Sequence, residues 1–269
     1  MIIVGELINS SRKRVADAIA RRDAGYVKAL ATRQAEAGAD LIDVNCGTFV
    51  DGEPEVMGWL VDIVQDAVDL PLCIDTPNPE AMRAGLERHR NGRPMVNSVT
   101  DEPGRVEAML PLVLEHGAKV VALCMSGSGV PSSADERVEV ARRLVGRLVD
   151  AGVPSEDIFV DPVVAPICTD PRAGEEFLEA VRRIRGELPE VHVICGLSNI
   201  SFGLPKRKLL NRNFLIMAMA AGLDAAILDP TDSDTMTDVL ASEALLGKDA
   251  FCMGYIEAYR SGKLGRVSP

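Results

Sequence analysis

The chain has 269 residues, 47% of them hydrophobic, enough to bury a substantial core as one large domain or two small ones. Its formal net charge of −11 argues against nonspecific nucleic-acid binding, which needs Lys and Arg to neutralise phosphates. The opening MIIVGELINS has no basic stretch ahead of a long apolar run, and no segment reaches the ~18 uninterrupted apolar residues of a membrane span, so a cytoplasmic globular protein with no membrane partner is expected.

In chain order, short β-rich runs alternate with helical patterns. IIVGELI from Ile2 reads as a first strand, followed by AGYVKALATRQAEAGA, in which Tyr26, Leu30, Ala31, Gln34 and Ala37 trace a helical stripe and Gly38 stands as the C-cap. ADLIDVN from Ala39, LCID from Leu72, PMVNSV from Pro94, KVVALCM from Lys119, IFVDP from Ile158, HVICGLSN from His192 and AAILDP from Ala225 are the further strands. Between them PEVMGWLVDIVQDAV, PNPEAMRAGLERH, PGRVEAMLPLVLEHG, ADERVEVARRLVGRLVDAG, GEEFLEAVRRIRGEL and NRNFLIMAMAAG read as helices, several opening on Pro and closing on Gly. Pro111 predicts a kink in its helix, and the tail from Met236 to Arg260 supplies an eighth helix plus an extra one.

The strands start about 32 residues apart, the length of a parallel βα unit. Eight such units in a chain near the ~250 residues usual for the class predict an α/β fold, a closed (β/α)₈ TIM barrel, as a single domain over 1–269. An open doubly wound sheet generally carries a phosphate-binding glycine loop after its first strand, and MIIVGELINSSR has none. The six cysteines, 46, 73, 124, 168, 195 and 252, form no CxxC pair and read as buried reduced thiols.

Active sites of such barrels lie at the C-terminal ends of the strands. There the sequence places Glu6 and Asn9, Asp43 and Asn45, Asp75, Asn97, Met125 and Ser126, Asp161, Ser198 and Asn199, and Asp229. A Schiff-base lysine is missing from these positions: Lys119 begins its strand at the opposite rim, and Lys206 and Lys208 follow in a loop. Converging histidines are missing too, since His89, His116 and His192 fall at helix ends or a strand start. GLSNI is not a nucleophile elbow. Mg²⁺ held by Asp43, Asp75 and Asp161 stays open as an alternative to a site without metal. Carboxylates and carboxamides together match a heterocycle edge that carries adjacent N–H donors beside a carbonyl, as guanine-like and pterin rings do. The competing reading is structural, with Asp75 capping the turn before TPNPE and Asp161 closing a turn at Pro162.

Several of these segments carry a family likeness. GELIN, DVN, CIDT, MVNS, FVDP, GLSNIS and LLNRNFLIMAMAAGLDAAILD resemble the pterin-binding methyltetrahydrofolate:corrinoid methyltransferases across nearly the whole chain. The resemblance implies methyl transfer between N5 of 5-methyltetrahydrofolate and the cobalt of a corrinoid carried by a separate protein, in a homodimeric TIM barrel. It assigns Asp75, Asn97 and Asp161 to the pterin ring and Asn199 to N5, with Gly196 and Ser198 at the same strand end and Arg207 toward the outer part of folate. Asn199 and Asp75 are then the catalytic pair: an amide cannot supply a proton, so proton traffic at N5 falls to water or Asp75. The direction of transfer, loading or unloading the corrinoid, is left open. Two other readings stand beside it. A dihydropteroate synthase-like enzyme expects a lysine on the seventh strand and a basic motif on the eighth, where this chain has LSN and ILD; a noncatalytic folate-binding subunit has no such requirement. A methionine synthase additionally expects a cysteine-based zinc site, which the chain lacks, and ERHRNG resembles a cobalamin loop only superficially and reads as a helix terminus.

Overall fold

A computed structural model describes residues 1–127 and 129–264. Eight strands, β1 (Ile2–Asn9), β2 (Leu41–Asn45), β3 (Leu72–Asp75), β4 (Met95–Asp101), β5 (Lys119–Ser126), β6 (Ile158–Asp161), β7 (His192–Val193) and β8 (Ala225–Leu228), lie in the order β7-β6-β5-β4-β3-β2-β1-β8. Every paired neighbour is parallel. The seam between β7 and β8 is closed by the amide of Asp224 on the Val193 carbonyl (3.2 Å), that of Ile227 on Cys195 (2.9 Å), and a parallel bridge between Gly196 and Ile227. The expected TIM barrel is therefore the observed architecture.

The helices are α1 (Lys13–Ala20), α2 (Ala24–Glu36), α3 (Glu53–Gln65), α4 (Pro79–Arg88), α5 (Arg105–Glu115), α6 (Ala134–Asp150), α7 (Ala173–Glu187), α8 (Arg207–Ala221), α9 (Ser233–Leu245) and α10 (Met253–Arg260). Gly38 takes φ of +100° just past α2, and Gly222 takes +119° past α8, the left-handed conformation that ends a helix without a Cβ clash. The tail supplies the expected eighth helix as α9 and the extra one as α10, while α5 runs unbroken through Pro111. Among the described residues no helix is long and apolar enough to cross a membrane.

Two expectations need correction, and one helix is additional to them. α1 was not legible: its N-cap is Arg12, which makes no side-chain capping bond. β7 ends at Val193, and Leu197–Ser201, expected partly as strand, forms a 3₁₀ turn. Cys46, Cys73, Cys124 and Cys195 are buried and free, as expected, but Cys168 and Cys252 are exposed because they sit outside the strands.

Two apolar layers hold the barrel. One lies between strands and helices. The other fills the barrel interior, with one side chain from each strand line: Val4, Leu41, Cys73, Met95, Val121, Phe159, Ile194 and Ala225. Because side chains alternate faces along a strand, the next inward positions lie two residues further toward the mouth. They are Glu6, Asp43, Asp75, Asn97, Leu123, Asp161, Gly196 and Ile227, so an apolar plug is capped by a mostly polar layer.

Candidate active site

That polar layer is the floor of a cavity of about 370 Å³, lined by all eight of those residues together with Asn9, Ser11, Arg12, Ser98, Ser198 and Asn199. A second cavity of about 620 Å³ shares Glu6, Ser11, Arg12, Ser198 and Asn199 with it and continues outward past Phe202, Arg207, Lys208, Asn211, Asp229 and Asp232. The mouth is thus a deep acidic socket opening into a wider, mixed-charge vestibule.

Local backbone features place these groups. The β1 ladder shifts register between Gly5 and Ile8, and the Leu7 amide is taken instead by Oε1 of buried Gln34 at 2.9 Å. Gly5 makes room for that side chain, since a Cβ there would lie 2.5 Å from Gln34 Oε1. At the other side of the seam, a Cβ on Gly196 would lie 3.1 Å from Asn199 Nδ2, so the missing side chain leaves space for that carboxamide.

Four carboxyl groups stand in the socket, and each is held above its ordinary pKa, first of all by burial. Asp75 is pushed up to about 6 by burial, with Glu53 adding to the rise and the Asn45 hydrogen bond opposing it. Asp161 is pushed up to about 7 by burial, against the stabilising amides of Val163 and Gly196 and the charge of Arg137. Asp43 is raised well above the usual range by burial and then by the Asp75 charge; its Oδ1 has no hydrogen-bond partner. Glu6 is raised by burial and held back by Arg12, whose Nη2 lies 2.5 Å from its Oε1.

The sequence-predicted residues converge. Asp75, Asn97, Asp161, Gly196, Ser198 and Asn199 line the inner cavity, and Arg207 lines the outer one. Asp75 is no helix cap: the α4 cap is Asn78, which accepts from the Glu80 amide at 3.0 Å. Asp161 does close a turn, accepting from the Val163 amide at 2.8 Å, yet its carboxyl also lines the cavity. Asn199 is exposed at the rim on the 3₁₀ turn. Arg207 folds back, its Nη2 donating to the Ser198 carbonyl at 2.6 Å and its Nε to Ser201 Oγ at 3.1 Å.

Other rim residues play different parts. Asn45 does not line either cavity but donates to Asp75 from behind. Met125 and Ser126 line neither; the β5 residue in the cavity floor is Leu123. Sequence reasoning missed Ser11 and Arg12, whose signal is only a polar basic run, NSSRKR, directly after the first strand. ERHRNG is the end of α4 as expected, with His89 Nε2 accepting from the Leu72 amide at 3.2 Å. Among the described residues no group of three His, Cys, Asp or Glu side chains is placed to hold a metal ion.

Comparisons with known proteins agree with this geometry. The family model described as pterin binding enzyme matches residues 5–229. The chain is 39% identical over 269 residues to the methylcorrinoid:tetrahydrofolate methyltransferase of Eubacterium limosum, with 99% of each chain covered. It is 35% identical over 243 residues to the methionine synthase of Mycobacterium tuberculosis, a match covering 85% of this chain and 20% of that protein. A dihydropteroate synthase of Xanthomonas albilineans, solved with indole-2-carboxylic acid and 6-chloroguanine, shares the fold with a TM-score of 0.67 at 21% identity over 93% of both chains. With a polar socket at the barrel mouth and a family match over most of its length, the chain belongs to the pterin-binding enzymes.

Proposed function

We propose that this barrel is a methyltransferase that moves a methyl group between a methylated corrinoid and N5 of tetrahydrofolate. The observation that carries the reading is the single polar layer in which Asp75, Asn97 and Asp161 face one cavity over an apolar plug. Ionised Asp161 accepts paired N–H donors from the pterin edge, and Asn97 both donates and accepts beside it. Binding such donors offsets the burial that raises the Asp161 pKa to about 7, so affinity falls as pH drops below that value.

The Eubacterium limosum relative is named for transfer from methylcorrinoid to tetrahydrofolate, which supports that direction here. In it, the N5 lone pair forms the new N–C bond, the Co–C bond breaks with its electron pair left on cobalt, and the N5 proton leaves. Asp75, with a pKa of about 6, is suited to accept that proton directly or through water. Asn199, beside Gly196 at the rim, orients N5 and stabilises the charge that changes there. Arg207, with the wider vestibule, faces the p-aminobenzoyl-glutamate portion.

The corrinoid arrives on a separate protein in this reading, and the broad vestibule beside the socket supports access by so large a group. One barrel domain over 1–269, a homodimer and a cytoplasmic location belong to the same proposal; exposed Phe251, Met253 and Tyr259 at the C-terminal end support association with a second copy. A dihydropteroate synthase reading is weaker because no lysine lines the inner cavity. The test is to mix the protein anaerobically with methylcobalamin and tetrahydrofolate and follow the cobalt spectrum. Appearance of cob(I)alamin supports the proposal; folate binding without spectral change favours a noncatalytic subunit.

A further inference from the structure

The carboxyl that faces the pterin edge is held by an unusual turn. Asp161 is followed by buried Pro162 and then by Val163, whose φ is +66°. A β-branched residue avoids this left-handed conformation and keeps it only where its surroundings over-determine it. In return the Val163 amide points at Asp161 Oδ1, 2.8 Å away, and fixes the carboxyl in the cavity wall.

What over-determines the turn is a buried arginine. Arg137 of α6 is only 1% exposed, and its Nε donates to the Pro162 carbonyl at 2.8 Å. Its Nη1 has no hydrogen-bond partner among the described residues, and Glu176, Asp170 and Glu136 act on its charge only as weaker influences against the burial that disfavours it. A buried, incompletely paired guanidinium is costly, and an apolar side chain would remove that cost while leaving the Pro162 carbonyl without its donor, so the two effects oppose each other in stability. Its hydrogen bond to the Pro162 carbonyl places it on the turn that carries Asp161.

We infer that Arg137 is a positioning residue for the ligand-binding carboxylate: by holding the Pro162 carbonyl it keeps the Asp161–Pro162–Val163 turn in the strained form that aims Asp161 into the cavity. The inference rests on the pterin-binding reading above. The charge acts in the same sense as the geometry. Around Asp161 stand the amides of Val163 and Gly196, the Arg137 guanidinium from α6, and the Cys124 and Cys195 thiols, which burial keeps neutral. Arg137 is thus the cation that favours ionised Asp161.

The test measures binding of 5-methyltetrahydrofolate by titration calorimetry between pH 5.5 and 9, alongside thermal unfolding, for the wild type, Arg137→Met, Arg137→Gln and Asp161→Asn. Both Arg137 variants are expected to stay folded, to bind at least about tenfold more weakly at pH 7, and to move the midpoint of the affinity–pH curve upward. A packing role alone lowers the unfolding temperature without moving that midpoint. If the Arg137 variants bind with wild-type affinity and midpoint while Asp161→Asn is impaired, the inference is overturned and the pterin reading stands. Failure of both Arg137 variants to fold also overturns it, since it would make Arg137 a requirement of the fold. Wild-type affinity in Asp161→Asn overturns the pterin assignment of Asp161 and the inference with it.

Discussion

Asn45 Nδ2 lies 2.9 Å from Asp75 Oδ2, and the orientation of that amide is fixed because Asn45 Oδ1 is already accepting from the Gly47 amide at 3.1 Å. The contact favours the ionised carboxyl and opposes the burial that lifts Asp75. Replacing Asn45 by Ala is therefore expected to raise the Asp75 pKa further, by roughly half to one unit for one hydrogen bond of ~1 kcal/mol. If Asp75 accepts the N5 proton, the acid limb of the kcat–pH profile moves to higher pH by that amount. An unshifted limb in an active Asn45→Ala enzyme would assign the proton to water.

Asp161 sets a stability prediction with a definite sign. Its folded pKa, about 7, lies above the ordinary carboxyl value, so the folded state holds a proton that the unfolded chain has released. That contribution is fully present below about pH 4 and is lost as pH rises through 7. Asp161→Asn keeps an oxygen acceptor for the Val163 amide and has no charge to bury. Its unfolding free energy is expected to exceed that of the wild type by on the order of 2 kcal/mol at pH 8 and to match it near pH 4, while pterin affinity is lost. Chemical denaturation at the two pH values checks this.

Asn199 and Gly196 form a coupled pair, because a methyl group on Gly196 would press on the Asn199 amide at 3.1 Å. Asn199→Ala is expected to slow transfer about 5- to 150-fold, the worth of one hydrogen bond of ~1–3 kcal/mol, with little change in folate affinity. Gly196→Ala is expected to slow transfer through the same group, and the double variant to be no slower than the worse single one. Single-turnover rates measured beside binding constants separate these outcomes; equal losses in rate and affinity would remove Asn199 from its role.

Much of the fold and the socket was legible because both follow from period-2 strands ending in polar residues. Asp75, Asn97 and Asp161 each sit two residues beyond an inward apolar side chain, Cys73, Met95 and Phe159, so their convergence follows from parallel register. What stayed hidden depends on tertiary placement. Arg12 reaches the site only because α1 follows β1 directly, and α1 itself carries no capping signal. Arg137 is one of several charged residues on α6, and only the fold singles it out as buried. Residues 197–199 of the 3₁₀ turn read as strand in the sequence because their apolar start continues β7.

Arg207 forms no ion pair with a carboxylate among the described residues and holds the Ser198 carbonyl with one arm of its fork. Arg207→Ala is expected to weaken tetrahydrofolate binding several-fold while leaving a tailless tetrahydropterin almost unaffected. Comparing the two dissociation constants checks the assignment, and equal losses for both ligands would place the arginine in the fold of the loop alone.

The central claim is that the socket presents N5 of a bound pterin to an incoming methyl group. It is tested most directly by ¹³C NMR of the protein incubated anaerobically with [¹³C-methyl]cobalamin and tetrahydrofolate. The account predicts that the label moves from the cobalt-bound carbon to a methyl on N5, and that Asp161→Asn does not support the transfer. Label that stays on cobalt with wild-type protein and bound folate, or that moves equally well without the Asp161 carboxylate, would contradict it.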